Sequence, residues 1–106
     1  MNVRISEGQL RFRITREELI ELLQGNMLAI KLPFSPIPYY HVRCESLSSP
    51  LTLREEGTRL TLLVDRSALE KLKQKLPSRE GIVQETRLGG EDWLLALEVD
   101  VRVSPH

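Results

Sequence analysis

The chain has one cysteine, Cys44, in 106 residues, so no intramolecular disulfide can form and a reducing cytoplasmic compartment is expected. Histidine is almost as scarce: His41 and His106 are the two present, and neither stands at a metal-ligand spacing from Cys44. An excess of one charge is missing too. Lysine plus arginine and aspartate plus glutamate number 15 each, for a net charge of zero. No overall field draws the chain to nucleic acid or to a lipid surface, and neither is expected as a partner. No stretch approaches the roughly 20 apolar residues of a membrane span, and Met1-Asn2-Val3-Arg4 opens an alternating pattern rather than a signal-peptide run. A soluble, cytosolic protein is the expectation.

Catalytic motifs are also thin. No glycine-rich phosphate loop, zinc quartet or dinucleotide fingerprint occurs. Ser46, Ser48 and Ser49 fall in a linker with no histidine and carboxylate arranged around them. His41 and Cys44 stand three apart in a strand pattern, on opposite faces, which argues against a Cys-His nucleophilic pair and assigns Cys44 to the core. No catalytic residue and no cofactor is assigned, and enzymatic activity stays open.

What is present suffices for one core. The chain is 41% apolar and 28% charged, ordinary for a single soluble globular domain, here expected over residues 1–106. Slid against itself by fifty residues, the chain aligns Val3–Gln24 with Leu53–Gln74 without a gap. Arg4/Arg54, Leu10/Leu60, Arg16/Arg66, Leu19/Leu69, Leu22/Leu72 and Gln24/Gln74 are identical. The apolar character of Val3/Leu53, Phe12/Leu62 and Ile14/Val64 is kept.

Each copy opens with a short strand and a tight turn, Ser6-Glu7-Gly8 or Glu55-Glu56-Gly57. A second strand follows, apolar on one face at Leu10, Phe12 and Ile14, or at Leu60, Leu62 and Val64. Arg11 and Arg13, or Arg59, Thr61 and Leu63, take the other face. Thr15 and Asp65 then cap helices, Thr15 within a capping box completed by Glu18. Leu19, Leu22 and Leu23, and Leu69, Leu72 and Leu76, give each helix an inward stripe. Gly25-Asn26 and Pro77 end the helices. Two further strands follow in each copy, near Met27–Leu32 and Tyr39–Glu45, then Ile82–Arg87 and Trp93–Arg102. The last two are joined by a loop over Leu88–Asp92. Ser46–Pro50 links repeats spanning 1–47 and 51–104. The fold class is α+β: a duplicated β-β-α-β-β unit with two helices, the halves related by an approximate two-fold axis. Either a mostly antiparallel open sheet or a partly closed barrel satisfies the pattern.

Eleven of the fifteen basic residues are arginine, and most alternate with apolar residues on strands. One consequence is a solvated face where Arg pairs across strands with Glu45, Glu85, Glu98 and Asp100. The other is an anion site made by Arg11, Arg13, Arg43, Arg59, Arg87 and Arg102, since guanidinium donors suit phosphate or carboxylate. Glu98 and Asp100, two apart on one strand with Glu85 expected nearby, are candidates to hold a divalent metal ion. Phe34, Ile37, Tyr39 and Tyr40 belong to a segment stiffened by Pro33, Pro36 and Pro38. They form either a loop folded on the core or a contact surface for a second copy of the chain or another protein.

Val3-Arg4-Ile5, Leu10-Arg11-Phe12-Arg13-Ile14-Thr15, Gly57-Thr58-Arg59-Leu60-Thr61-Leu62 and Leu97-Glu98-Val99-Asp100 together resemble a family of small bacterial proteins of unknown function. The resemblance spans most of the chain, which lacks that family's acidic, proline-rich tail, and it implies no activity. At the level of fold the chain also resembles the CYTH-like triphosphate-tunnel phosphatases, duplicated barrels lined with Arg, Lys and Glu. Their alternating Glu-Lys first strand is missing, as Asn2-Val3-Arg4-Ile5-Ser6 shows, which argues against shared catalysis and leaves anion binding open. Two functions are therefore expected as alternatives: a homo-oligomeric or partner-binding protein, or a phosphate or polyphosphate binder with metal-dependent hydrolysis as its extension.

Overall fold

Leu10, Phe12 and Ile14 alternate with Arg11 and Arg13. In the computed structural model, which describes residues 1–31 and 38–100, that alternation is a strand with its apolar face fully covered and its arginine face open or half-open. The first half runs β1 (Asn2–Ser6), β2 (Gln9–Ile14), α1 (Arg16–Leu23), β3 (Leu28–Lys31) and β4 (Pro38–Glu45). The second runs β5 (Leu51–Glu56), β6 (Arg59–Asp65), α2 (Arg66–Lys75), β7 (Ile82–Leu88) and β8 (Glu91–Val99).

Both helices start where side-chain chemistry places them. Thr15 Oγ1 accepts from the Glu18 amide at 3.1 Å and the Glu18 carboxylate accepts from the Thr15 amide at 2.9 Å, a reciprocal cap on two free donors. Asp65 accepts from the Ala68 amide at 3.2 Å with one oxygen and from the Leu47 amide at 2.9 Å with the other. One carboxylate thus starts α2 and pins the linker between the halves. Arg66, first in α2, donates to the Leu23 carbonyl at the end of α1 at 3.0 Å, placing a cation at the negative end of the helix dipole.

The strands form two four-stranded sheets, ordered β1-β2-β8-β7 and β3-β4-β6-β5. Each joins a hairpin from one half to a hairpin from the other through a central parallel pair, β2 with β8 and β4 with β6. The class is α+β, the sheets are mixed, and they do not close into a barrel. The single open sheet and the partly closed barrel are both replaced by this arrangement, because the inner strands of the two halves pair with each other rather than within a half. Register is shared: Arg4↔Arg11 and Ser6↔Gln9 in the first hairpin become Arg54↔Thr61 and Glu56↔Arg59 in the second. Replacing each strand by its counterpart in the other half turns one sheet order into the other read backwards.

Inner faces of both sheets and stripes from both helices meet in one cluster that includes Leu10, Phe12, Leu19, Leu22, Val42, Leu62, Leu69, Leu72 and Leu95. Leu60, expected among them, is half-buried and outside the cluster. Thr61 and Leu63, expected to face solvent, are fully buried. β6 is an inner strand, and these two side chains are crowded between those of β4 and β5, Thr61 between His41 and Arg54 and Leu63 between Arg43 and Thr52.

Two turns are tighter than the sequence suggests. The second half's first turn is Gly57-Thr58. The loop of β7 and β8 shrinks to Gly89-Gly90, since Leu88 already pairs with Glu91. Both glycines have positive φ, 57° and 82°, as a type I′ turn matching the twist of a hairpin demands.

Because both halves feed one core, Leu19→Ala and Leu69→Ala should each cost about 2–5 kcal/mol in denaturant unfolding and leave a single transition. A peptide of either half should not fold cooperatively by circular dichroism, since it would leave β2 or β6 without its parallel partner. Gly81 has φ +67° and no room for a Cβ, which would collide with the Leu97 carbonyl oxygen, whereas Gly25 has φ +92° and open space. Gly25→Ala should therefore lose about 1–2 kcal/mol, the cost of the left-handed backbone alone, and Gly81→Ala distinctly more.

Candidate functional site

The Glu7-Gly8 turn sets Ser6 across from Gln9, and two steps back along the strands Arg4 stands directly across from Arg11. Arg13, two residues further along β2, lies between Asn2 on β1 and Glu98 on β8. The β1–β2 end of the face turned from the core thus gathers three guanidiniums around the carboxylate of Glu98, while Glu85, Arg87 and Asp92 lie on the same face further along β7 and β8. Arg11 donates to Gln9 Oε1 at 2.9 Å and reaches Glu98 at 3.4 Å. Arg4 and Arg13 are exposed and make no ion pair among the described residues. The dimple between Asn2, Arg4, Arg11, Arg13 and Glu98 is about 10 Å³, so a ligand larger than one water would lie on the face rather than in it.

The chain matches no protein-family model and no curated protein. Its chemistry therefore rests on geometry.

The six arginines proposed from sequence do not form one site. Arg11 and Arg13 share the face just described. Arg43 and Arg59 lie on the outer face of the other sheet, turned away from the common core, where Arg43 pairs with Glu45 at 3.4 Å and Arg59 stands opposite Glu56. Arg87, at the end of β7, donates to the Gly90 carbonyl and faces Asp92 at 3.5 Å in an exposed ion pair of little energetic weight. Arg102 lies outside the described residues. Arg4 was absent from that set; it pairs with Arg11 because the turn is the two-residue Glu7-Gly8 rather than Ser6-Glu7-Gly8.

Glu98 is engaged by Arg11, and the Asp100 amide donates to the Ile14 carbonyl at 2.7 Å, which seats the start of the chain beyond β8 against β2. Glu85 pairs with Leu94, four residues from Glu98 and so about 13 Å away along the strand. Among the described residues no group of three or more His, Cys, Asp or Glu side chains could hold a metal ion. Of the proposed contact residues, Phe34 and Ile37 lie outside the described residues, Tyr39 is exposed, and Tyr40 turns inward with its ring edge-on to Phe12 at 6.2 Å. Cys44 packs against the core, and burial pushes its thiol pKa up, keeping it protonated. No helix among the described residues is long and apolar enough to cross a membrane.

The other sheet's outer face holds a group that sequence reasoning weighed only as a partner for Cys44. His41 is 3% exposed, and its Nε2 is buried with no hydrogen-bond partner among the described residues, a cost of about 1–3 kcal/mol. Ala29 on β3 and Thr61 on β6 flank it in register. Thr61 gives its hydroxyl proton to Glu56 at 2.6 Å, a bond that leads the lowering of the Glu56 pKa. Burial, then the Arg59 guanidinium, lower the His41 pKa; Glu56 opposes them and Arg43 adds to them. The imidazole is neutral in the folded chain, while in the unfolded chain it protonates near its ordinary 6.5. The unfolded state then binds more protons, so the contribution of neutral His41 is complete above that value and declines as pH falls toward the lowered folded pKa. Urea unfolding at successive pH values should show the native chain losing more stability below pH 6.5 than His41→Leu does. Equal losses would exclude His41 as the source.

Proposed function

We propose that the chain is an anion-binding protein whose receptor surface is the outer face of β1, β2 and β8, and whose ligands are polyphosphates or phosphate esters bearing more than one charged group. The observation that carries this is Arg4 directly across from Arg11 with Arg13 beside them, against the single carboxylate of Glu98. Like charges directly opposite across strands destabilise a sheet. A bound oxyanion removes that repulsion and accepts from guanidinium forks in the geometry they present. Arg11 and Arg13 stand about 7 Å apart along the strand, a spacing met better by successive anionic groups than by one.

The reading is of binding rather than metal-assisted hydrolysis. A divalent cation at Glu98 would compete with Arg11 for the carboxylate and sit among three positive charges. Self-association through the proline-rich segment has less support, since Tyr39 is the one described and exposed residue of the four considered for it.

Titration calorimetry with tripolyphosphate should give saturable binding that weakens as salt rises. At about 100 times its Kd the ligand should add about 2.7 kcal/mol to stability. Arg4→Gln/Arg13→Gln should abolish that gain with its own stability intact, and Arg43→Gln/Arg59→Gln should keep it. No heat and no thermal shift at millimolar tripolyphosphate would overturn the reading.

A further inference from the structure

A groove of about 420 Å³ runs along α2, walled on one side by the helix face bearing Ala68, Lys71, Leu72 and Lys75 and on the other by the turn Ser78–Ile82, with Pro50 at its end. Its accessible apolar lining is the half-buried Ala68 and the exposed Pro50, set over Leu72 and Ile82, which belong to the core cluster and are almost fully covered at 4% and 8% exposed. Its rim is basic. Lys71, Lys75 and Arg79 face Glu80 as the one carboxylate, and none of the three cations is ion-paired among the described residues. The size is that of a small-molecule site, and an apolar bed with a few convergent charges is the usual make-up of one.

The second wall is held in place. Ser78 Oγ accepts from the Gly81 amide at 3.2 Å, and Gly81 brings the turn against the Leu97 carbonyl at a distance that excludes a Cβ. A preformed wall loses little freedom when a ligand enters. Complementing the helix dipole would account for Lys75, which lies in the last turn of α2 with Lys73. It does not account for Lys71 one turn earlier, in a like-charge i,i+4 relation to Lys75 that opposes the helix, nor for Arg79 beyond the helix.

We propose that this groove binds a small amphipathic anion, an organic phosphate, sulfonate or carboxylate whose apolar body lies against Ala68 and Pro50 while Lys71, Lys75 and Arg79 hold its charged head. The site is separate from the arginine face of β1 and β2, which has no apolar floor and takes the anion alone. Apolar burial and charge act together here, so neither a bare anion nor a neutral alkyl chain is a sufficient ligand.

The probe is anilinonaphthalene sulfonate, an aryl anion that fluoresces when its rings leave water. The folded chain should bind it saturably at one site. Hexyl phosphate should displace it, while inorganic phosphate and hexanol at the same concentration should not. Lys71→Glu/Lys75→Glu should weaken binding by about tenfold or more with an unchanged circular dichroism spectrum, whereas Arg4→Gln/Arg13→Gln should bind as the native chain does. Amide shifts of the native chain on titration should centre on Ala68, Leu72, Gly81 and Ile82, a readout that does not depend on any variant folding. Absence of binding, equal displacement by inorganic phosphate and hexyl phosphate, or shifts centred on Arg4 and Arg11 would each overturn the proposal.

Discussion

The parallel pairing of β2 with β8 and of β4 with β6 is the constraint on which the rest of the molecule depends. A hairpin that met no other would leave its inner strand edge open, with unpaired amides and carbonyls that cannot be buried without cost. Crossing the halves satisfies every inner edge at once. It also brings two four-stranded inner faces and two leucine stripes onto the same cluster, so α1 and α2 can be short, 8 and 10 residues, and still be held by packing rather than propensity.

That crossing also distributes the charge. Core residues of both sheets face one another, so their polar faces point apart, and arginines that look like one population along the chain become two. On the first sheet they stand opposite one another with a single carboxylate among them. On the second, acidic partners are at hand in Glu45 and Glu56, and the central row of the face holds Thr61 and His41 in place of a second arginine. The same fifty-residue register therefore clusters three arginines around one carboxylate at the β1–β2 end of one sheet and intersperses arginines with carboxylates on the other.

Much of the local structure was legible before any coordinates. Thr15 with Glu18 and Asp65 are caps because a short side-chain oxygen there meets free amides. Phe12, Leu62, Leu19 and Leu69 point inward because strand and helix periods say so. The Arg4–Arg11 juxtaposition was not legible, because it depends on the turn being Glu7-Gly8 rather than Ser6-Glu7-Gly8. The errors have physical causes as well. Leu63 and Thr61 were assigned to solvent by alternation, which marks the two faces of a strand but not whether each is covered. Gly89-Gly90 looked like part of a five-residue loop, because a turn that tight is visible in sequence only as its glycines.

Sequence by itself determined the elements, their caps and most of the inward residues of each, all of which depend on neighbours within a few positions, while the turn lengths that set the hairpin registers did not follow from it. Tertiary structure alone decided that inner strands pair across the halves in parallel. Backbone hydrogen bonds between strands carry no residue identity, and β2 could have met several apolar partners with nearly equal burial. From that decision follow the division of the arginines between two faces, the burial of His41 with its Nε2 unpartnered among the described residues, and the basic groove between α2 and the turn before β7. Each gathers residues from elements far apart in the chain, and no local pattern records such meetings.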